Sequence, residues 1–140
     1  YLILNEITTN RKFYNKAVKI VLVKNIEESH LMYEKKHFKN KLNNLIKYIN
    51  NIIKNNKKKM VLLITPQLLD LYGKNLKYSV NYYNKLNNNI NCIDLTKDIL
   101  NIKNFKNLYL QDIYGGHFNK KGNKLVSNLV FRKLKKLKLI

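Results

Sequence analysis

Met60-Val-Leu-Leu-Ile-Thr65 is a continuous apolar run closed by Pro66. It is too short for a buried helix and suits a β-strand covered on both faces, which demands helices on either side and a partner strand. The sequence supplies both. Asn91-Cys-Ile-Asp-Leu95 has the pattern of a second short strand. Between the two runs, a helix from about Asn75 to Asn87 places Leu76, Val80, Tyr83 and Leu86 on one side. Upstream, Phe38, Leu42, Leu45, Ile46, Ile49, Ile52 and Ile53 recur at steps of three and four, the stripe of an amphipathic helix. Glu27 and Glu28 fall at the expected start of that helix, where its dipole favours anions; Asn55-Asn56 and Lys57-Lys58-Lys59 mark its solvated exit.

The remaining segments fit the same grammar. Leu2-Ile3-Leu4 has the pattern of a short buried strand ending at Asn5-Glu6. Ala17 to Val23 is apolar and β-branched, compatible with a strand or with the start of a helix. Leu108-Tyr-Leu110 is expected to be extended and to lead into a turn over Asp112–His117. A last helix starts near Asn119 or Lys120, with Leu125, Val126, Leu129, Val130 and Leu134 inward and Lys133, Lys135, Lys136 and Lys138 on its wet side. Alternating strands and helices predict a parallel sheet with helices on both faces. No repeat or Pro/Gly/Ser-rich linker divides residues 1–140, so a single α/β domain is expected. At this length a domain buries roughly two-thirds of the surface of its unfolded chain. No run of eighteen apolar residues is present, so no transmembrane segment is expected.

Charge narrows the function less than its size suggests. The formal net charge is +20, from 28 Lys+Arg against 8 Asp+Glu. Arg11 and Arg132 are the only arginines, and asparagine is abundant beside lysine, a bias that follows A/T-rich codons. The lysines run the length of the chain, whereas a nucleic-acid reader clusters its cations and uses Arg for bidentate contacts. No specific nucleic-acid partner is therefore expected. Cys92 is the only cysteine, which excludes an internal disulfide and any multi-cysteine metal site. It alternates with Ile93 in a strand and is read as a buried structural thiol. His30 and His37 flank the expected start of the helix that carries the Phe38–Ile53 stripe and are expected to be solvated. The ten tyrosines are read as core or rim residues. Neither a metal nor another cofactor is expected.

The segment that can carry chemistry is Asp112-Ile-Tyr-Gly-Gly-His-Phe-Asn-Lys-Lys-Gly-Asn123. A carboxylate that accepts the Nδ1 proton of a nearby imidazole fixes its tautomer and leaves Nε2 facing a nucleophile. Gly115 and Gly116 would shape the loop, since glycine takes turns costly for other residues and lets a substrate approach. In an open parallel sheet such loops gather beyond the carboxyl ends of the strands, where ligands bind.

Asp and His shortly before the last helix, followed by Asn119-x-x-Gly122-Asn123, resembles the C-terminal block of the SGNH (GDSL-type) hydrolases. The strand ending Thr65-Pro66, the strand at Cys92-Ile-Asp94 and the closing helix are similar in order and spacing, over roughly residues 60–140. The resemblance implies a three-layer α/β/α flavodoxin-like fold and cleavage or transfer of ester-linked acyl groups. It implies His117 as general base and Asp112 as its acidic partner, although the family spacing is Asp-x-x-His and here four residues intervene. A Ser-His dyad, with the imidazole bonded to a backbone carbonyl, is the alternative. It also implies Asn5 as a candidate oxyanion donor. Ser29, Ser79 and Ser127 are the only serines, and none stands in a Gly-Asp-Ser block. The resemblance therefore implies a C-terminal part of a longer protein, with its N-terminal strand or strands and nucleophile upstream, and inactive by itself. The expected substrate is a small-molecule or glycan ester, such as a carbohydrate O-acetyl group. The alternatives are an O-acyltransferase, an inactive member of the same fold, and a basic non-enzymatic module that binds polyanions.

Overall fold

The computed structural model describes residues 11–86, 90–110 and 116–140. The strand expected at Leu2–Leu4 lies outside them. In chain order the elements are α1 (Arg11–Leu31), α2 (Lys36–Asn55), β1 (Val61–Ile64), α3 (Leu76–Leu86), β2 (Asn91–Asp94), α4 (Thr96–Leu100) and α5 (Lys120–Lys136). Short 3-10 turns occupy Met32–Glu34, Asp70–Tyr72 and Phe105–Leu108. The described residues are thus mixed α/β, mostly helical around a two-stranded parallel sheet.

β1 and β2 pair in parallel, Val61 opposite Asn91 through Ile64 opposite Asp94. The pairing extends one step further, with the Leu95 N–H donating to the Ile64 carbonyl at 3.0 Å. α3 is the crossover between them, as a parallel pair requires. Neighbouring residues of β1 enter different cores. Val61 packs against Leu71, Ile93, Leu95, Ile99 and Tyr109, a cluster also covered by Val126, Leu129, Val130 and Leu134 of α5. Leu62 packs against Ile46 of α2 and Tyr82 and Leu86 of α3. The pleat's period of two sends these two side chains in opposite directions, so both need to be apolar, whereas Leu63 further along the run is exposed.

In the first two helices one open alternative is decided and one expectation changes. Ala17–Val23 is helical, inside the 21-residue α1. Its β-branched residues cost a helix only tenths of a kcal/mol each, ~0.7 at most, and the lysines and glutamates around them are good helix formers. Glu27 and Glu28 belong to the last turns of α1 and do not start α2, which begins at Lys36. Between the two helices the chain breaks at Lys35, extended at φ −74° and ψ 121°. The break sets Tyr33 among Phe38, Tyr82 and Tyr83, with ring centroids 5.3–5.6 Å away. Its hydroxyl meets that of Tyr83 at 2.7 Å. Helix periodicity carries no trace of this contact, because the partners lie some fifty positions downstream.

Candidate active site

The segment before α5 is held at both ends by backbone. Leu110 N–H donates to the His117 carbonyl and Asn119 N–H to the Leu108 carbonyl, both at 2.9 Å, around an antiparallel bridge between Tyr109 and Phe118. The expected extended stretch at Leu108–Leu110 is therefore this single bridge, entered from the 3-10 turn at Phe105–Leu108. Tyr109 is buried, stacks on Phe118 with centroids 4.6 Å apart, and donates its hydroxyl to the Pro66 carbonyl at 2.9 Å. Pro66 follows β1, so this bond anchors the segment beyond the carboxyl end of that strand. Burial raises the Tyr109 phenol well above its ordinary pKa, with the Asp70 carboxylate adding to the effect. Tyr109 thus remains a hydrogen-bond donor across the whole range in which an enzyme works.

The Asn-x-x-Gly motif has a local physical role. Asn119 caps α5: its Oδ1 accepts from Gly122 N–H at 3.0 Å. Its amide donates backwards to the carbonyls of Asn107 at 2.8 Å and Tyr109 at 3.2 Å. One side chain therefore ties the helix start to the segment that carries the bridge. Gly122 lies where a Cβ would collide with the Leu108 carbonyl oxygen and stand 2.8 Å from Phe118 Cδ1. Only hydrogen fits there.

His117 is solvent-exposed on this clamped segment, and among the described residues its imidazole has no hydrogen-bond partner. The neighbouring Gly116 faces Gln67, with room for a Cβ 3.8 Å from Gln67 Cδ. Gly116, next to His117 in the chain, therefore lies beside the loop that leaves β1. Asp112, Gly115 and Asn5 lie outside the described residues. Ser29 donates its hydroxyl to the Asn25 carbonyl at 2.8 Å, and the buried Ser79 donates to the Leu76 carbonyl at 3.0 Å. Ser127 is exposed about two turns into α5. Ser29 and Ser79 thus spend their hydroxyl protons on carbonyls of their own helices.

His30 departs from expectation. It is buried, and Nε2 stands 3.2 Å from Asp70 Oδ1. Asp70 Oδ2 accepts from Gln67 N–H at 2.7 Å, so this carboxylate joins α1 to the loop after β1. The partners are forty positions apart, beyond the reach of a search for local ligand spacing. His37 is exposed, as expected. Among the described residues no three His, Cys, Asp or Glu side chains are grouped to hold a metal ion. Cys92 is buried in β2, and burial, with Asp94 nearby, pushes its thiol up to about 11. It is a protonated, unreactive thiol at neutral pH.

No family model, no curated protein and no solved structure matches the chain.

Proposed function

We propose that residues 1–140 carry the base-bearing, C-terminal part of an SGNH-type ester hydrolase, with His117 as general base. One observation carries this reading. An exposed imidazole stands on a segment clamped by backbone bonds and by Tyr109–Pro66, beyond the carboxyl end of a parallel strand, where ligands of α/β sheets bind. The division of Val61 and Leu62 between two cores supports the flavodoxin-like three-layer arrangement that belongs with it.

In this mechanism a serine from outside these residues attacks the ester carbonyl. His117 Nε2 accepts the serine proton and then delivers it to the departing alkoxide. Asp112 holds the tautomer and stabilises the imidazolium, while backbone N–H groups and Asn5 bind the oxyanion. Water then repeats the sequence on the acyl-serine, releasing the acid. A sugar hydroxyl in place of water would make the same site a transferase. Acetate release from acetyl esters by the full-length protein tests the proposal. His117→Ala is expected to lower kcat on the order of 10²–10⁴-fold with the fold intact. Unchanged turnover in that variant would remove His117 from the mechanism.

A further inference from the structure

A cleft of about 630 Å³ lies between α2 and α3, on the Leu62 side of β1 and away from the His117 segment. Its volume is in the range, roughly 300–1,000 Å³, that holds a small organic ligand. Lys39, Lys47 and Lys54 from α2 and Lys85 from α3 line it. No acidic side chain does, and among the described residues none of the four ammonium groups has an ion-pair partner. Acids elsewhere are used: Lys24 faces Glu28, and Lys133 meets Asp98 at 2.9 Å.

The imbalance is built into the sequence. Between Lys35 and Ile93 the one acidic residue is Asp70, already bonded to His30 and to Gln67 N–H. Lysines run the length of the chain, but the acids do not, and this gives the α2/α3 side its unbalanced charge. The lining positions on α2, from Lys39 through Asn43, Lys47 and Asn50 to Lys54, repeat at helical spacing and form one face. Asn43 is fixed by the Tyr82 hydroxyl, which donates to its Oδ1 at 2.7 Å. At the floor are the aliphatic side chains of Ile46, Leu86 and Ile90.

Four like charges around a low-dielectric floor repel one another and focus a positive potential into the cleft. A bare inorganic anion would answer the charge and leave the floor wet. A neutral apolar molecule would do the reverse. We propose that this cleft binds a small amphipathic organic anion, its aliphatic body on Ile46, Leu86 and Ile90 and its carboxylate among the lysines. The proposal is independent of the ester-hydrolase reading.

The test is NMR titration of the full-length protein, methyl-labelled at Ile, Leu and Val, with sodium dodecanoate below its micellar concentration. Saturable shifts are expected at Ile46, Leu86 and Ile90. Inorganic phosphate and dodecanol are each expected to bind at least tenfold more weakly. The double variant Lys47→Glu/Lys85→Glu changes exposed positions and should weaken dodecanoate at least tenfold, with methyl signals of the Ile93/Leu95 core unmoved. Equal shifts at Ile20 and Val21, both exposed on α1, would mean unspecific adsorption and overturn the proposal. Undiminished binding in the double variant would do the same. If poly(U) or polyglutamate moves the cleft methyls and dodecanoate does not, the face is a polyanion surface and the proposal fails.

Discussion

Gly122 shows what one residue contributes here. Its missing side chain lets the first turn of α5 lie against the Leu108 carbonyl and the Phe118 ring. Ala is the better helix former by about 1 kcal/mol, so propensity alone would make Gly122→Ala stabilising. The collision with backbone reverses the sign. Overpacking of this kind costs about 1–3 kcal/mol, and the variant is expected to show a lower urea midpoint at unchanged m-value. A raised midpoint would mean that the helix start can move away from Leu108. Cys92 gives a second expectation. Its thiol titrates near 9.0 when unperturbed and at about 11 in the fold. Between those values the unfolded chain has released a proton that the native state retains, so stability falls as pH rises through that window. Comparison with Cys92→Ala isolates the effect from the tyrosines and lysines, and the variant's stability should fall less steeply from pH 9 to 11. Parallel curves would show that Cys92 ionises equally in both states. Residue-scale roles were partly legible. The Asn119/Gly122 pair stood out in the sequence, but its structural task needed Asn107, Leu108 and Tyr109 to be seen beside it. His30 was invisible as a partner of Asp70 for the same reason.

At the scale of elements, the strands and the later helices followed from short-range pattern. β1, β2, α3 and α5 were legible because apolar runs bounded by Pro66, Asn residues and lysines have few alternatives. α1 was not, because a short β-branched stretch satisfies either period. Its joint with α2 depends on Tyr33 finding Tyr83. The ends of α2 and α5 share a feature that composition explains. Lys58 N–H reaches the Ile53 carbonyl at 3.1 Å and Lys57 N–H the Lys54 carbonyl at 2.8 Å. Leu139 and Lys138 repeat the arrangement on Leu134 and Lys135. These are Schellman caps, which favour glycine at the left-handed position. Here Lys57 and Lys138 occupy it, at φ 56° and 53°. A chain with four glycines caps its helices with the residue it has most of. Relief of that strain, less the entropy glycine adds to the unfolded chain, should make Lys57→Gly stabilising by roughly 0.5–1 kcal/mol in thermal or urea unfolding. A destabilised variant would show that the Lys57 side chain makes a larger contribution than its backbone costs.

At the scale of the whole molecule, a charge of +20 opposes compaction through self-repulsion. The Debye length shrinks from about 30 Å at 0.01 M salt to about 8 Å at 0.15 M, so added NaCl should raise the melting temperature by a few degrees. A flat or falling melting temperature would mean that the ion pairs lost to screening outweigh the repulsion relieved. The α/β character was legible from strand and helix order. The convergence of lysines between α2 and α3, with no ion-pair partner among the described residues, was not, since it arises from where the acids are missing. The functional reading turns on whether His117 serves a serine, and a fluorophosphonate ester tests this directly by trapping the nucleophile that a general base activates. With the full-length protein, mass spectrometry is expected to place the adduct on a serine outside residues 1–140, at a rate that collapses in His117→Ala. An adduct on Ser29, Ser79 or Ser127, no adduct at all, or undiminished labelling of the variant would contradict the assignment.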